Sequence, residues 1–194
     1  MNEPWYEVVA PGTILTQGDL IFDCPLLTWT TKPLFDSTEK SLPGNLKEGI
    51  TAFTADVVIM TQACDLEHGK VSNVVLSPHD PLSDFRKTWE EGMKLSGHNP
   101  TEKAWRKTCD DIANGYVWNQ CFLNSFGESV PPLELRVVDF HEIFTLPRTF
   151  LEGFLGRLSA PRIRLLPPYR EHLSQAFARF FMRVGLPQSL AKNW

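Results

Sequence analysis

The sequence predicts a single α+β domain whose mainly antiparallel sheet curls into a small barrel. Apolar runs typical of strands fill the first half, return after two helical patterns, and are followed by one last amphipathic helix. The strands are short and the loops between them are long, which favours a small barrel over a flat sheet. With 194 residues, 42% of them hydrophobic, the chain is long enough to bury a core without disulfides or metal.

The predicted strands are runs of apolar and β-branched residues. The clearest covers residues 55–61, whose unbroken β-branched run is typical of a strand covered on both faces. Residues 71–77 follow after a short turn, so the two strands are expected to form an antiparallel hairpin. In residues 162–166, Arg162 and Arg164 alternate with apolar residues, which puts both arginines on one face. Further strands are expected at residues 19–22, 25–30, 116–123 and 133–144.

A helical insertion of two helices is predicted at residues 83–114. Ser83 is expected to cap the first helix, and the second begins after Pro100 and ends near Gly115. Apolar residues recur at helical spacing in both helices: Phe85, Trp89 and Met93 in the first, and Trp105, Cys109, Ile112 and Ala113 in the second.

The last predicted element is an amphipathic C-terminal helix over residues 168–185. Pro168 lies near its first turn, and Gly185 followed by Pro187 ends it. Its apolar stripe consists of Leu173, Phe177, Phe180, Phe181 and Val184. Such a stripe packs into a core more often than it binds a partner.

One long loop is predicted at residues 32–49. This stretch is polar, contains Pro and Gly, and shows no periodicity. Loops longer than about 12–15 residues are usually functional or mobile.

The net charge of −4 hides an uneven distribution. Residues 136–194 hold nine Lys and Arg against four Asp and Glu, whereas residues 1–135 hold ten against nineteen. A basic half rich in arginine suits a nucleic acid or an acidic partner. The alternative is internal pairing, in which the basic end folds over the acidic front.

Nothing in the sequence predicts a membrane or secretory protein. No run of about 18 apolar residues is present, and the first residues lack the basic start and apolar core of a signal peptide. We therefore expect a cytosolic protein without membrane contact. Its four cysteines, Cys24, Cys64, Cys109 and Cys121, are expected to be free thiols.

A dense group of polar residues follows the clearest strand, at residues 61–68. It contains a hydroxyl, an amide, a thiol, two carboxylates and an imidazole: Thr61, Gln62, Cys64, Asp65, Glu67 and His68. Residues at the end of a buried strand are rigidly held yet reached by solvent, so functional sites are often built there. This group is the main candidate site.

Nucleophilic catalysis is one interpretation of this group. A catalytic cysteine needs its thiolate, which a neighbouring imidazole can support. Cys64 and His68 would face each other if the segment turned as a helix, because four residues are about one turn. Asp65 and Glu67 would oppose ionisation of the thiol.

Metal binding is a second interpretation. The possible zinc ligands are Cys64 and His68 with one of His79, Cys109 or Cys121. The possible ligands of a hard cation are Asp65, Glu67 and Asp19. The chain has no C-x-x-C pair and no zinc-finger spacing, so we predict neither a metal nor a cofactor.

The third interpretation is turn chemistry. Asp65 would cap a short helical turn after the strand, Gln62 would tie a neighbouring loop, and Cys64 would be a small buried residue. Asp65 would then matter for stability and not for catalysis.

Two stretches resemble a group of uncharacterised bacterial proteins. Residues 57–67 (VVIMTQACDLE) resemble that group's strand followed by a Ser/Thr-Gln-x-Cys-Asp-Leu motif, and residues 161–187 resemble its usual end. Together they cover about a fifth of the chain. The resemblance implies no particular activity.

The first part of the chain is similar to the opening of the PemK/MazF-like fold. Gly18 and Asp19 match its opening turn, and residues 57–61 and 74–77 match strands that follow its mobile loop. The resemblance implies an SH3-like barrel. Toxins of that fold cleave RNA without metal, using an Arg and a Ser/Thr at the barrel rim, and Thr61 matches the strand-end hydroxyl.

The arginine of that pattern has no match at its usual place, because Ala55 and Asp56 stand where the family has Arg-Pro. The basic half of this chain offers Arg148, Arg162 or Arg164 instead.

These patterns lead to three hypotheses about function. The first is a cytosolic bacterial binding module of a defence or toxin-like system, which holds a nucleic acid or a protein partner. Its binding residues would be Asp19, Thr61, Gln62, Glu67, Arg148, Arg162 and Arg164. The second is a metal-independent endoribonuclease of the MazF/PemK type, in which Asp65 or His68 is the base and an arginine stabilises charge. The third is a thiol-dependent enzyme that uses Cys64.

Overall fold

The computed structural model describes residues 4–29, 49–129 and 131–182, which form a mixed α/β structure. The strands are β1 (Tyr6–Val9), β2 (Asp19–Trp29), β3 (Ile50–Ile59), β4 (Asn73–Pro81), β5 (Gln120–Leu123), β6 (Arg136–Asp139), β7 (Phe144–Pro147) and β8 (Arg162–Leu165). The helices are α1 (Ala63–Glu67), α2 (Leu82–Leu95), α3 (Glu102–Ala113), α4 (Arg148–Leu158) and α5 (Tyr169–Phe181). The expected loop at residues 32–49 lies outside the described residues, apart from Gly49.

The eight strands form an antiparallel sheet. Within the described residues the sheet is open, since its order ends at β1 on one side and at β5 on the other. In the same parts of the chain, no helix is long and apolar enough to cross a membrane.

The chain divides into two compact units. The strand unit comprises Tyr6–His79 and Glu142–Leu165. The helical unit comprises Met1–Trp5, Asp80–His141 and Leu166–Trp194. Every residue that the sequence assigns to the candidate site belongs to the strand unit.

The strand unit is a series of antiparallel strands in the order β1-β8-β2-β3-β4, with β7 also paired to β4. The predicted antiparallel pairing is confirmed, since β3 and β4 pair with Val58 opposite Ser77, but the connection contains α1 instead of a short turn. The register of β2 shifts between Ile21 and Cys24, where Asp23 has a φ of 50°. A bulge of this kind bends a strand, so β2 bends at Asp23.

The core of the strand unit explains why its clearest strand has so few polar residues. Val57, Val58 and Ile59 of β3 are completely buried. The core that contains Val57 and Ile59 also contains side chains from β2, β4, α1, α4 and the segment before β2: Leu15, Ile21, Cys24, Leu26, Leu66, Val74, Leu76 and Leu151. The short helix α1 is therefore anchored to the core through Leu66.

The helical unit is built on aromatic contacts. The buried Trp105 of α3 has its ring centroid 5.2 Å from that of Trp89 in α2. Phe140 is fully buried, with its ring centroid 5.5 Å from that of Phe177 in α5. Leu173 of α5 is also buried, whereas Phe181 of the predicted apolar stripe is 57% exposed and Val184 lies outside the described residues.

The start of α2 differs from the sequence-based expectation. Helix α2 begins directly after Pro81, and Ser83, which was expected to be its cap, lies inside the helix. That expectation was wrong because the chain is extended up to Pro81 and turns helical immediately. Helix α3 has a true cap, since Thr101 Oγ1 accepts a hydrogen bond from the Ala104 amide at 3.2 Å. Helix α4 was not predicted at all.

Candidate functional site

The main candidate site, residues 61–68, contains the short helix α1 and is held at three points; we call it the α1 segment. Oγ1 of Thr61 accepts a hydrogen bond from the Val75 amide at 2.7 Å. Leu66 is fully buried in the core. Nη1 of Arg148 donates to the Leu66 carbonyl at 2.7 Å. These contacts come from the core, β4 and α4, so they fix the main chain of the segment from several sides.

The hydrogen-bond partners of the exposed Cys64 thiol are side-chain oxygens. Four side chains of the α1 segment are exposed: Gln62, Cys64, Glu67 and His68. The Cys64 sulfur lies 3.8 Å from Oε1 of Gln62 and 3.7 Å from Oδ1 of Asp65. Among the described residues, neither the His68 imidazole nor any guanidinium is hydrogen-bonded to this sulfur.

Asp65 does not cap α1, contrary to the turn interpretation. The cap position is Gln62, and its side chain makes no capping hydrogen bond. Asp65 lies inside the first turn and has its carboxylate 3.8 Å from Nζ of Lys70. Both side chains are at least one-third exposed, so solvent screens this pair and it adds little stability.

A second group of predicted residues meets at Asp19, which is fully buried at the start of β2; we call Asp19, Arg162 and Arg164 the Asp19 cluster. Nη2 of Arg162 lies 3.2 Å from Oδ2 of Asp19, and Nε of Arg164 lies 2.5 Å from Oδ1. The two guanidinium groups also donate to the carbonyls of Thr13 and Ile14. The cluster therefore ties β8 to β2 and to the segment before β2.

The alternation of arginines in β8 is confirmed as a one-face pattern, because both side chains of the pair reach the same carboxylate. A buried ion pair is tolerated when each charge is paired and hydrogen-bonded, and here both conditions are met. Arg148 is likewise engaged, since its Nε lies 2.7 Å from Glu152. The three arginines proposed for a partner thus all have acceptors within the strand unit.

The α1 segment and the Asp19 cluster are separate groups, joined through the main chain. Nε2 of Gln17 donates to the Met60 carbonyl at 2.9 Å, and the Gly18 amide donates to the Ile59 carbonyl at 2.9 Å. These bonds hold the start of β2 beside the end of β3. The sequence expected a loop-tying amide at Gln62, whereas the structure places one at Gln17.

Three of the four thiols have pKa values raised above the ordinary thiol value, mainly by burial. Burial raises the pKa of Cys24 to about 11, and it raises that of Cys121 to about 11 as well. Burial, followed by the charge of Asp110, also raises the pKa of Cys109. In the described residues, no group of three or more His, Cys, Asp or Glu side chains is close enough to hold a metal ion.

The helical unit contains a pocket of about 350 Å³ that no sequence pattern predicted; we call it the α3–α5 pocket. It is lined by the end of α3, by β5 with the residues before it, and by α5. Trp5 and Tyr169 line it as a stacked pair with ring centroids 4.0 Å apart. Arg179 also lines it, with its guanidinium carbon 5.7 Å from the centroid of the Trp118 ring.

A local signal for this pocket was present in the sequence. Gly115 ends the α3 region with a φ of 70°, and the next five residues include Tyr116, Trp118 and Gln120. Tyr116 and Trp118 are exposed in the loop after α3, and loops that are held by regular elements often carry binding residues. The partners from α5 could not be found this way, because they are distant in sequence.

No protein-family model matches the chain, and no curated protein is significantly similar to it. What the chain does must therefore be inferred from the geometry described above.

Proposed function

We propose that this chain is a cytosolic binding module that holds a protein partner on its α1 segment. The observation that supports this is the combination of a fixed main chain and exposed polar side chains. Thr61 and Arg148 hold the segment through hydrogen bonds, while Cys64, Glu67 and His68 are exposed. A surface that is already rigid loses little conformational entropy when a partner binds.

Charge favours a protein over a nucleic acid at this surface. Binding to nucleic acid depends on cations that neutralise phosphates. Arg148 is bonded to Leu66 and Glu152, and the arginines of the Asp19 cluster are bonded to its carboxylate. The α1 segment itself contributes two carboxylates, Asp65 and Glu67, which would repel a phosphate backbone.

A photo-crosslinking experiment tests this proposal. The full chain would carry a photo-reactive amino acid at Glu67, or at Arg157 as the matched exposed position on α4 of the same unit. We expect one protein to be crosslinked from Glu67 and not from Arg157. Unlabelled wild-type chain should compete for it, whereas a chain with Glu67→Arg and His68→Glu should not. Equal crosslinking from both positions, or competition by the double variant, would contradict the proposal.

The two enzyme hypotheses predict experimental results that a pure binding role does not. A ribonuclease of the PemK/MazF type would cut RNA in the presence of EDTA, and an Asp65→Ala variant would lose that activity. A thiol enzyme would show a Cys64 alkylation rate whose pH midpoint lies well below the ordinary thiol range. Either result would replace the binding proposal.

We also propose that the strand unit is a partly open SH3-like barrel of the PemK/MazF-like kind. Its antiparallel order and the bulge at Asp23 support this, because bulged strands curl a sheet towards closure. An experimental structure tests it. Superposition of β2, β3, β4 and β8 on the PemK/MazF-like barrel is expected, and a flat sheet would overturn the proposal.

A further inference from the structure

We propose that the α3–α5 pocket binds an adenine nucleotide, with the base against the Trp118 indole and the phosphate on Arg179. The pocket lies wholly within the helical unit and so is independent of the α1 segment. This binding site goes beyond the proposed function, since it takes a different class of ligand on different residues.

The charges of the pocket suit an anion. Among its described lining residues, Arg179 is the permanent cation and no carboxylate is present. Arg179 forms no ion pair with a described carboxylate, unlike Arg148 or the arginines of the Asp19 cluster. A guanidinium presents a planar fork of donors that matches a phosphate or a carboxylate.

The aromatic residues of the pocket suit a flat ring. The Trp118 side chain is 43% exposed, and the Arg179 guanidinium carbon lies 5.7 Å from its ring centroid. Trp5 and Tyr169 are stacked on each other with ring centroids 4.0 Å apart, so they form an aromatic wall of the pocket and leave no space for a ring between them. Bases stack on such side chains, and arginine adds a cation–π contribution. A ligand whose anionic group binds Arg179 would therefore have its ring near the Trp118 indole.

A polar side chain in the pocket lining, Gln120, can select one flat ring over another through its hydrogen bonds. Gln120 lines the pocket, and its amide makes no side-chain hydrogen bond among the described residues. A glutamine amide offers one acceptor beside two donors, which matches the N6 and N7 edge of adenine. Among bases, adenine therefore fits this pocket best.

The size of the pocket sets the size of the ligand. Its volume of about 350 Å³ lies at the lower end of the roughly 300–1,000 Å³ typical of small-ligand pockets. That space suits one nucleotide and is small for a dinucleotide cofactor. The Cys121 thiol that lines it stays neutral, because burial raises its pKa to about 11, so it adds apolar surface rather than reactivity.

Two sources could supply this ligand chemistry: a free mononucleotide, or one adenine nucleotide of a single-stranded nucleic acid. The test is isothermal titration of the full chain with AMP, adenosine, inorganic phosphate and a short oligoadenylate. We expect saturable binding of AMP, and affinities for adenosine and phosphate that are each about tenfold or more weaker. Tighter binding of the oligoadenylate than of AMP identifies a strand as the source, and equal binding identifies a free nucleotide.

Three variants connect the binding to this pocket. Arg179→Gln removes the cation and keeps most of the side chain, and Trp118→Ala removes the indole. Ala176→Phe adds bulk to a residue that lines the pocket and removes no contact. Each should weaken AMP binding by about tenfold or more. Arg157 is an exposed residue of α4 in the strand unit, away from the pocket lining. The variant Arg157→Gln is therefore the matched control and should leave AMP binding unchanged.

Several results would overturn the proposal. These are the absence of saturable AMP binding, equal affinities for AMP and adenosine, and AMP binding that survives both Arg179→Gln and Ala176→Phe. Circular dichroism of each variant shows whether the helical unit is folded, and Arg179 is an exposed residue whose loss should not unfold it. None of these results bears on crosslinking from Glu67, so the two proposals fail separately.

Discussion

Oδ1 of Asp19 lies 2.5 Å from Nε of Arg164, and the pair joins residues 145 positions apart in the chain. The Asp19 side chain is completely buried, and that of Arg164 is 14% exposed. Charge-assisted hydrogen bonds are strong in such surroundings, but removal of one partner leaves an uncompensated buried charge. The pair therefore makes the start of β2 and the strand β8 depend on each other.

Replacing Asp19 by Asn should destabilise the protein strongly. Asparagine keeps the shape of the side chain but leaves the buried Arg162 guanidinium without its counter-charge, while Arg164 keeps only a longer contact with Glu7 at 3.9 Å. We expect the free energy of unfolding to fall by about 3–5 kcal/mol, measured by urea denaturation followed by circular dichroism. Glu67→Gln changes an exposed acid of the same unit and should cost less than about 0.5 kcal/mol. Similar urea midpoints for the two variants would show that the Asp19 charge does not stabilise the fold.

Local patterns in the sequence were enough to predict part of this fold. The pairing of β3 and β4 could be predicted because burial on both faces leaves a continuous apolar run. The common face of Arg162 and Arg164 follows from strand alternation. Their shared partner Asp19 could not be predicted, because it lies more than 140 residues away in the sequence.

Other elements were missed for identifiable reasons. Helix α4 contains Gly153 and Gly156, and each glycine lowers helix propensity by roughly 1 kcal/mol relative to alanine, which hides the helical pattern. Strand β7 has four residues and ends at Pro147, so it is too short to show alternation. The α3–α5 pocket depends on the packing of three distant segments, and no local pattern encodes that packing.

The hydroxyl of Thr61 should stabilise the fold, because its Oγ1 accepts a hydrogen bond from the Val75 amide. Thr61 is 8% exposed, so Thr61→Val would leave the amide poorly hydrated and without this acceptor. We expect a loss of about 1–3 kcal/mol in the free energy of unfolding. Thr61→Ser keeps the hydroxyl and should recover most of it. If valine and serine have equal effects, the hydroxyl is not the stabilising group.

Thr101 and Ser83 offer a matched test of helix capping in the helical unit. Thr101 accepts a hydrogen bond from the Ala104 amide, whereas Ser83 lies inside α2 and contacts Glu134 at 3.5 Å. Thr101→Ala should cost about 1 kcal/mol, the usual value for a lost cap. Ser83→Ala should cost less than about 0.5 kcal/mol, since alanine is a better helix former than serine. Thermal unfolding measures both, and a larger loss from Ser83→Ala would contradict the observed caps.

The buried thiol of Cys24 should make stability fall at high pH. Burial raises its pKa from 9.0 to about 11 in the folded chain, while in the unfolded chain the thiol ionises near its ordinary value. The folded pKa is the higher one, so this contribution is complete below pH 9 and is lost as the pH rises from 9 to 11. A shift of this size corresponds to about 2–3 kcal/mol.

Comparison of Cys24→Ala with the wild type isolates that effect from the other groups that titrate in this range. The alanine variant is expected to be less stable at neutral pH, because it loses packing in the core of the strand unit. Its unfolding free energy should nevertheless decline by about 2–3 kcal/mol less than that of the wild type between neutral pH and pH of about 11. Parallel curves for Cys24→Ala and the wild type would mean that Cys24 ionises as readily in the folded chain as in the unfolded one.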